Sequence, residues 1–127
     1  MSCFWNGLRT KIDGLQFCRT PNEVLKYLKE YNKLTTNVSW QGQHLSKQQL
    51  LDNYISIEKY DKKNVPHGHL TAALDPFLLL VCELFICRIE FQFVDTKIVY
   101  EYKFPNNNKP THPLAIYSFT ATTSHFS

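Results

Sequence analysis

A cysteine and a histidine that meet in a fold can act as a nucleophile and its base, and this chain carries one of each near its ends. Cys3 opens the run Cys3-Phe4-Trp5-Asn6-Gly7-Leu8, and His125 lies in the closing run Thr123-Ser124-His125-Phe126-Ser127. The thiolate attacks a carbonyl carbon far better than the thiol, so a reacting cysteine needs a setting that favours the anion. A helix start supplies one such setting through the positive end of its peptide dipoles, and a neighbouring imidazole supplies another. Cys3 stands at the head of a helical pattern. His125 would take the thiol proton and later return it to a leaving amine. The oxyanion formed between those steps needs a fixed donor, and the Cys3 backbone N–H is the candidate.

The remaining candidates for chemistry read differently. Cys18, Cys82 and Cys87 fall in or beside apolar runs and are expected in the core. No cysteine pair has CxxC spacing, and His67 and His69 flank Gly68 without an evident third ligand, so they are expected to be solvated in a loop. No metal and no cofactor is expected. Trp5 and Trp40 are expected as core or site-wall aromatics; Trp5 beside Cys3, with Phe126 beside His125, has the better claim to touch substrate. A net charge of +3 with scattered lysines argues against a nucleic-acid partner. The longest apolar stretch, Phe77 to Cys82, is interrupted by Glu83 and falls far short of the roughly 20 residues a bilayer requires. With no signal-peptide pattern after Met1, reduced thiols and a cytoplasmic setting are expected.

The elements that must position Cys3 and His125 follow from periodicity. Apolar residues at Phe4, Leu8, Ile12 and Leu15 predict a helix over 4–17, softened at Asp13-Gly14. Thr20-Pro21-Asn22-Glu23 reads as cap, first helical residue and capping box. The helix it starts carries Val24, Leu25, Tyr27, Leu28 and Tyr31 on or near one face. Ser46-Lys47-Gln48-Gln49 repeats the signal ahead of Leu50, Leu51, Tyr54 and Ile57. Residues 37–44 and 59–69 read as polar loops. Asp75-Pro76 launches a helix from Phe77 to about Ile86 that is apolar on all sides and therefore buried. Alternation then takes over in 88–94 and 98–104, a hairpin broken at Asp95-Thr96-Lys97, and a third strand is expected at Leu114 to Phe119. Helices followed by an antiparallel sheet give an α+β class in one domain, 1–127.

Three blocks in this order resemble the ovarian-tumour (OTU) family of cysteine proteases, which are deubiquitinases. Ser2-Cys3-Phe4-Trp5 fits the end of the family's nucleophile motif. His67-Gly68-His69-Leu70, the apolar run Phe77 to Phe85 and the strand Ile89-Glu90-Phe91 fit its central loop, helix and strand. Ile116-Tyr117-Ser118-Phe119 followed by His125-Phe126 fits its histidine block. The resemblance implies a papain-like OTU fold, with N-terminal helices packed on a small antiparallel sheet. It also implies a monomer that removes ubiquitin or a ubiquitin-like modifier from lysine, with Cys3 and His125 as the catalytic pair. The compact length is closest to viral members, which adds processing of a viral polyprotein as an expectation. Ser127 occupies the place where the family has an Asp or Asn to orient the histidine, and is the candidate third member. The family's Asp-Gly ahead of the nucleophile would stand before Met1. The alternative reading is therefore a catalytically weak or inactive ubiquitin-binding module of the same fold.

Overall fold

Three side-chain caps set the helical part of the molecule. The computed structural model describes residues 3–69, 71–93, 95–104 and 114–121. Helix α1 spans Cys3–Lys11, and a separate 3-10 turn at Asp13–Leu15 replaces the second half of the expected long helix. The break falls at Asp13-Gly14, where two poor helix formers follow one another. Thr20 caps α2 (Pro21–Glu30) by accepting from the Glu23 N–H at 3.2 Å. The Glu23 carboxylate reaches back to the Arg19 N–H, one residue earlier than a reciprocal box requires. Ser46 and Gln49 form a full capping box at α3 (Lys47–Lys59). Asp75 caps α4 (Pro76–Phe85), accepting from Phe77 N at 2.9 Å and Leu78 N at 3.3 Å.

Five strands form one sheet in the order β2-β1-β4-β3-β5. The strands are β1 (Val38–Trp40), β2 (Gln43–His44), β3 (Cys87–Phe93), β4 (Thr96–Tyr102) and β5 (Ala115–Ala121). The loop expected at 37–44 is instead a short hairpin. Gln41 and Gly42 both have positive φ, at 54° and 79°, which is the two-residue turn whose twist suits paired strands. β1 then joins the main sheet through Val38↔Tyr102 and Trp40↔Tyr100. The sheet is also mixed rather than antiparallel throughout, because β5 pairs parallel to β3 from Cys87↔Ala115 to Phe93↔Ala121. That pairing places β5 on the far side of β3 from β4, so β4 and β5 follow one another in the chain without being neighbours in the sheet.

Burial follows the pleat. Cys87, Ile89, Phe91, Ile98, Tyr100 and Phe119 face the helices and are buried, while Arg88, Glu90, Val99 and Glu101 alternate with them on the other face. Against the inner face lie Phe4, Leu8 and Ile12 from the α1 segment, Val24, Leu25 and Leu28 from α2, and the whole Phe77–Cys82 run of α4. Each fully buried side chain of this size contributes about 1.5–3 kcal/mol relative to exposure, so the α4 seam dominates the core. α3 is attached more loosely than its sequence suggests. Ile57 is buried, Leu50 and Tyr54 are half-buried, and Leu51 is exposed. No helix among the described residues is long and apolar enough to cross a membrane.

Candidate active site

Cys3 is the first residue of α1 and is half-buried. The next two side chains turn inward: Phe4 is 2% exposed and Trp5 is 0%. Both rings pack in a cluster with Tyr60, His69 and Phe77. Centroid separations are 5.0 Å for Phe4–Trp5, 4.9 Å for Trp5–Phe77, 5.6 Å for Trp5–Tyr60 and 4.4 Å for Phe4–His69. Cys3, Asn6 and Gly7 are half-buried, and Cys3 packs against the edge of the same core. The buried aromatics thus fix the first turn of α1, whose leading thiol is half-buried.

Trp5 is therefore a core residue. Its full burial leaves it no surface for substrate, a correction to its expected place in a substrate wall. An indole two residues after Cys3 is as well suited to filling the core as to facing a ligand. Its Nε1 has no acceptor among the described residues. The indole acts on the Tyr60 hydroxyl without reaching hydrogen-bond geometry; burial raises the Tyr60 pKa and Trp5 pulls it partly back.

The loop between the Lys62–His67 3-10 turn and α4 carries a feature that periodicity did not reveal. Gly68, at φ 88°, lets the chain leave that turn in a conformation closed to most side chains. His69 follows, and its Nε2 lies 2.6 Å from Asp75 Oδ2. The imidazole is 11% exposed and the carboxylate 1%. His69 is thus not the solvated loop residue expected from its neighbours. It lies on the cluster, 5.3 Å from Phe77 and 5.6 Å from Tyr60 by ring centroids, and is fixed by a carboxylate that also caps α4. Asp75 N donates to Tyr100 Oη at 3.1 Å, Tyr100 donates to Ala73 O at 2.6 Å, and Trp40 Nε1 donates to the same carbonyl at 3.0 Å. Burial, with the Asp75 charge second, raises the Tyr100 pKa far enough that it remains a hydroxyl donor at any physiological pH.

The other thiols behave as expected. Cys18, Cys82 and Cys87 are buried. Burial pushes the Cys18 thiol up, with Glu23 adding to it, and pushes Cys82 well up with Cys87 beside it. Protonated and enclosed, Cys18 and Cys82 are poor nucleophiles. His125, Phe126 and Ser127 lie outside the described residues. β5 lies beside the far end of the α1 segment: Tyr117 Oη is 3.5 Å from Asp13 N, and Ser118 O accepts from Lys11 Nζ at 3.0 Å.

Comparison with protein-family models, curated proteins and solved structures found no match to this chain.

Proposed function

We propose that the protein is a thiol isopeptidase of OTU type, releasing ubiquitin or a ubiquitin-like modifier from lysine, with Cys3 as nucleophile and His125 as its base. The observation that carries this reading is the placement of Cys3. It is the first residue of a helix whose next two side chains are locked in the core, so a thiol is held at the positive end of aligned peptide dipoles and near the surface. The partner is supported by the packing of β5 against the α1 segment at Lys11 and Asp13, with His125 following the end of β5 by four positions. In this scheme Cys3 Sγ attacks the isopeptide carbonyl carbon and His125 accepts the thiol proton. The imidazolium protonates the departing lysine amine, and water then hydrolyses the thioester. The Cys3 backbone N–H, at the head of α1, is a donor for the oxyanion. Ser127 as the group that orients His125 belongs to the same proposal, as does Phe126 against the substrate.

A ubiquitin probe with a C-terminal electrophile tests the reading. A covalent adduct is expected with the wild type, none with Cys3→Ala, and adduct formation at least about a hundredfold slower with His125→Ala. Reversible ubiquitin binding with no adduct would overturn the enzyme and leave a binding module of the same fold.

A further inference from the structure

The isopeptidase scheme makes no use of the most enclosed acid–base contact among the described residues, His69 with Asp75. We propose that this pair is a positioning device for the nucleophile: Asp75 pins the His69 ring, and the ring holds the first turn of α1 so that Cys3 keeps its reactive geometry. The proposal rests on Cys3 being the reacting thiol.

Three observations carry it. The first is the direction of each contact. Asp75 Oδ1 is committed to the start of α4, through Phe77 N and Leu78 N, and Oδ2 to His69 Nε2. A carboxylate only accepts, so Nε2 is the donor, and the ring loses its freedom to flip. The second is what the pinned ring touches. Its nearest ring neighbour is Phe4 at 4.4 Å, with Phe77, Tyr60 and Trp5 around it. Phe4 and Trp5 are the residues immediately after Cys3, so the contact bears on the turn that presents the thiol. The third is the rigidity of the base on which the pair stands. The Asp75 N–H, the Tyr100 hydroxyl, the Ala73 carbonyl and the Trp40 indole connect this loop to β1 and β4.

The His69 ring packs on Phe4 and Trp5, the two residues after Cys3, and its effect on the thiol passes through Phe4. A phenylalanine at position 69 would fill the same space, but nothing would fix its rotation. The first turn would then be held by apolar packing alone, and helix ends held in that way fray. A frayed first turn removes Cys3 from the helix dipole and releases the backbone N–H assigned to the oxyanion.

The test compares wild type with His69→Phe, which keeps an aromatic ring, and Asp75→Asn, which keeps an oxygen for the α4 cap. Two rates are read: alkylation of Cys3 by iodoacetamide, followed by peptide mass mapping, and turnover of a fluorogenic ubiquitin substrate. The expected result is a loss of about tenfold in Cys3 alkylation for His69→Phe and a smaller loss for Asp75→Asn. Turnover should lose the same factor in kcat with KM unchanged. Faster hydrogen exchange at the amides of residues 4–8 should accompany both. Unchanged alkylation in a folded variant, whatever happens to its melting temperature, overturns the proposal and leaves the pair a stability element. The alkylation arm does not depend on ubiquitin. A wild type that turns over no ubiquitin, but whose Cys3 is slowed by these variants, refutes the substrate and keeps the positioning pair. Should His69→Phe fail to fold, Asp75→Asn decides by the same criteria.

Discussion

Ile86 ends α4 at φ 50°, ψ 67°, a left-handed conformation that a β-branched side chain adopts only against steric resistance. The chain has to reverse there so that Cys87 can begin β3 under the helix it has just left. Glycine would make the same turn without the Cβ clash, and Ile86 is 45% exposed, so little packing would be lost with its side chain. Ile86→Gly is expected to stabilise the fold by about 1 kcal/mol, raising the melting temperature by about 3–5 °C in a calorimetric or circular-dichroism melt. A lower melting temperature would mean that the isoleucine contributes more by burial than it costs in strain. The site shows the same limit of sequence reading at this scale. Cys18, Cys82 and Cys87 were legible as core because they sit within apolar runs. His69 was not, since its partner lies six positions away across a loop whose path no periodicity encodes.

The helices were legible because their starts are chemical signals: Thr20, Ser46 and Asp75 each accept the backbone N–H groups that a cap must satisfy. The β1–β2 hairpin was not, because strands of three and two residues are too short to display a period. The tie that places it is Glu83, an acid in the otherwise apolar α4. Its two carboxylate oxygens accept from Asn37 N at 2.9 Å and Asn37 Nδ2 at 3.0 Å, just ahead of β1. The β3–β4 hairpin adds a charge network on the face turned away from the helices. Arg88 donates to Glu90 and Glu101 at 2.9 Å each, Lys97 meets Glu90 at 3.2 Å, and Lys103 meets Glu101 at 2.7 Å. The Lys103 contact, then Arg88, holds the Glu101 carboxyl below the usual range, and Arg88 and Lys97 do the same for Glu90. Since both acids bind protons less readily when folded, their stabilisation is complete above the ordinary glutamate range near pH 4–5. It disappears as pH falls through their lowered folded values. Melting curves from pH 7 to pH 3 should therefore show wild type more stable than Glu101→Gln at neutral pH, with the gap closing below about pH 4. A gap that stays constant with pH would show that the network adds nothing through charge. Salt should narrow the neutral-pH gap, because the pairs face solvent.

At the scale of the whole molecule, α+β class was readable from the change of period near residue 87, but the helix-then-sheet order was not, since β1 and β2 of the same sheet come between α2 and α3. Nor was the place of β5. Alternation identifies a strand but not its neighbour, and β5 could have extended the hairpin beside β4 instead of pairing parallel to β3. That choice brings β5 beside Lys11 and Asp13, at the far end of the α1 segment. Lys11 serves this arrangement twice, donating to Ser118 O on the edge strand and lying 5.0 Å over the Phe119 ring. The connection between the helical layer, the sheet and the candidate site runs through Asp75. It is fully buried, its carboxylate starts α4 and holds His69, and its N–H reaches Tyr100 on β4. Asp75→Ala removes the carboxylate at a stroke, leaving the Phe77 and Leu78 N–H groups and the His69 donor enclosed without partners. Each such buried group costs about 1–3 kcal/mol, so a loss of about 3–5 kcal/mol is expected in urea unfolding. Because the groups join α4 to the loop before it, the loss should appear as one cooperative transition with an unchanged urea dependence. A second, earlier transition confined to α1 and the 68–75 loop would show instead that the site is a separable layer, and that Asp75 secures the loop rather than the fold.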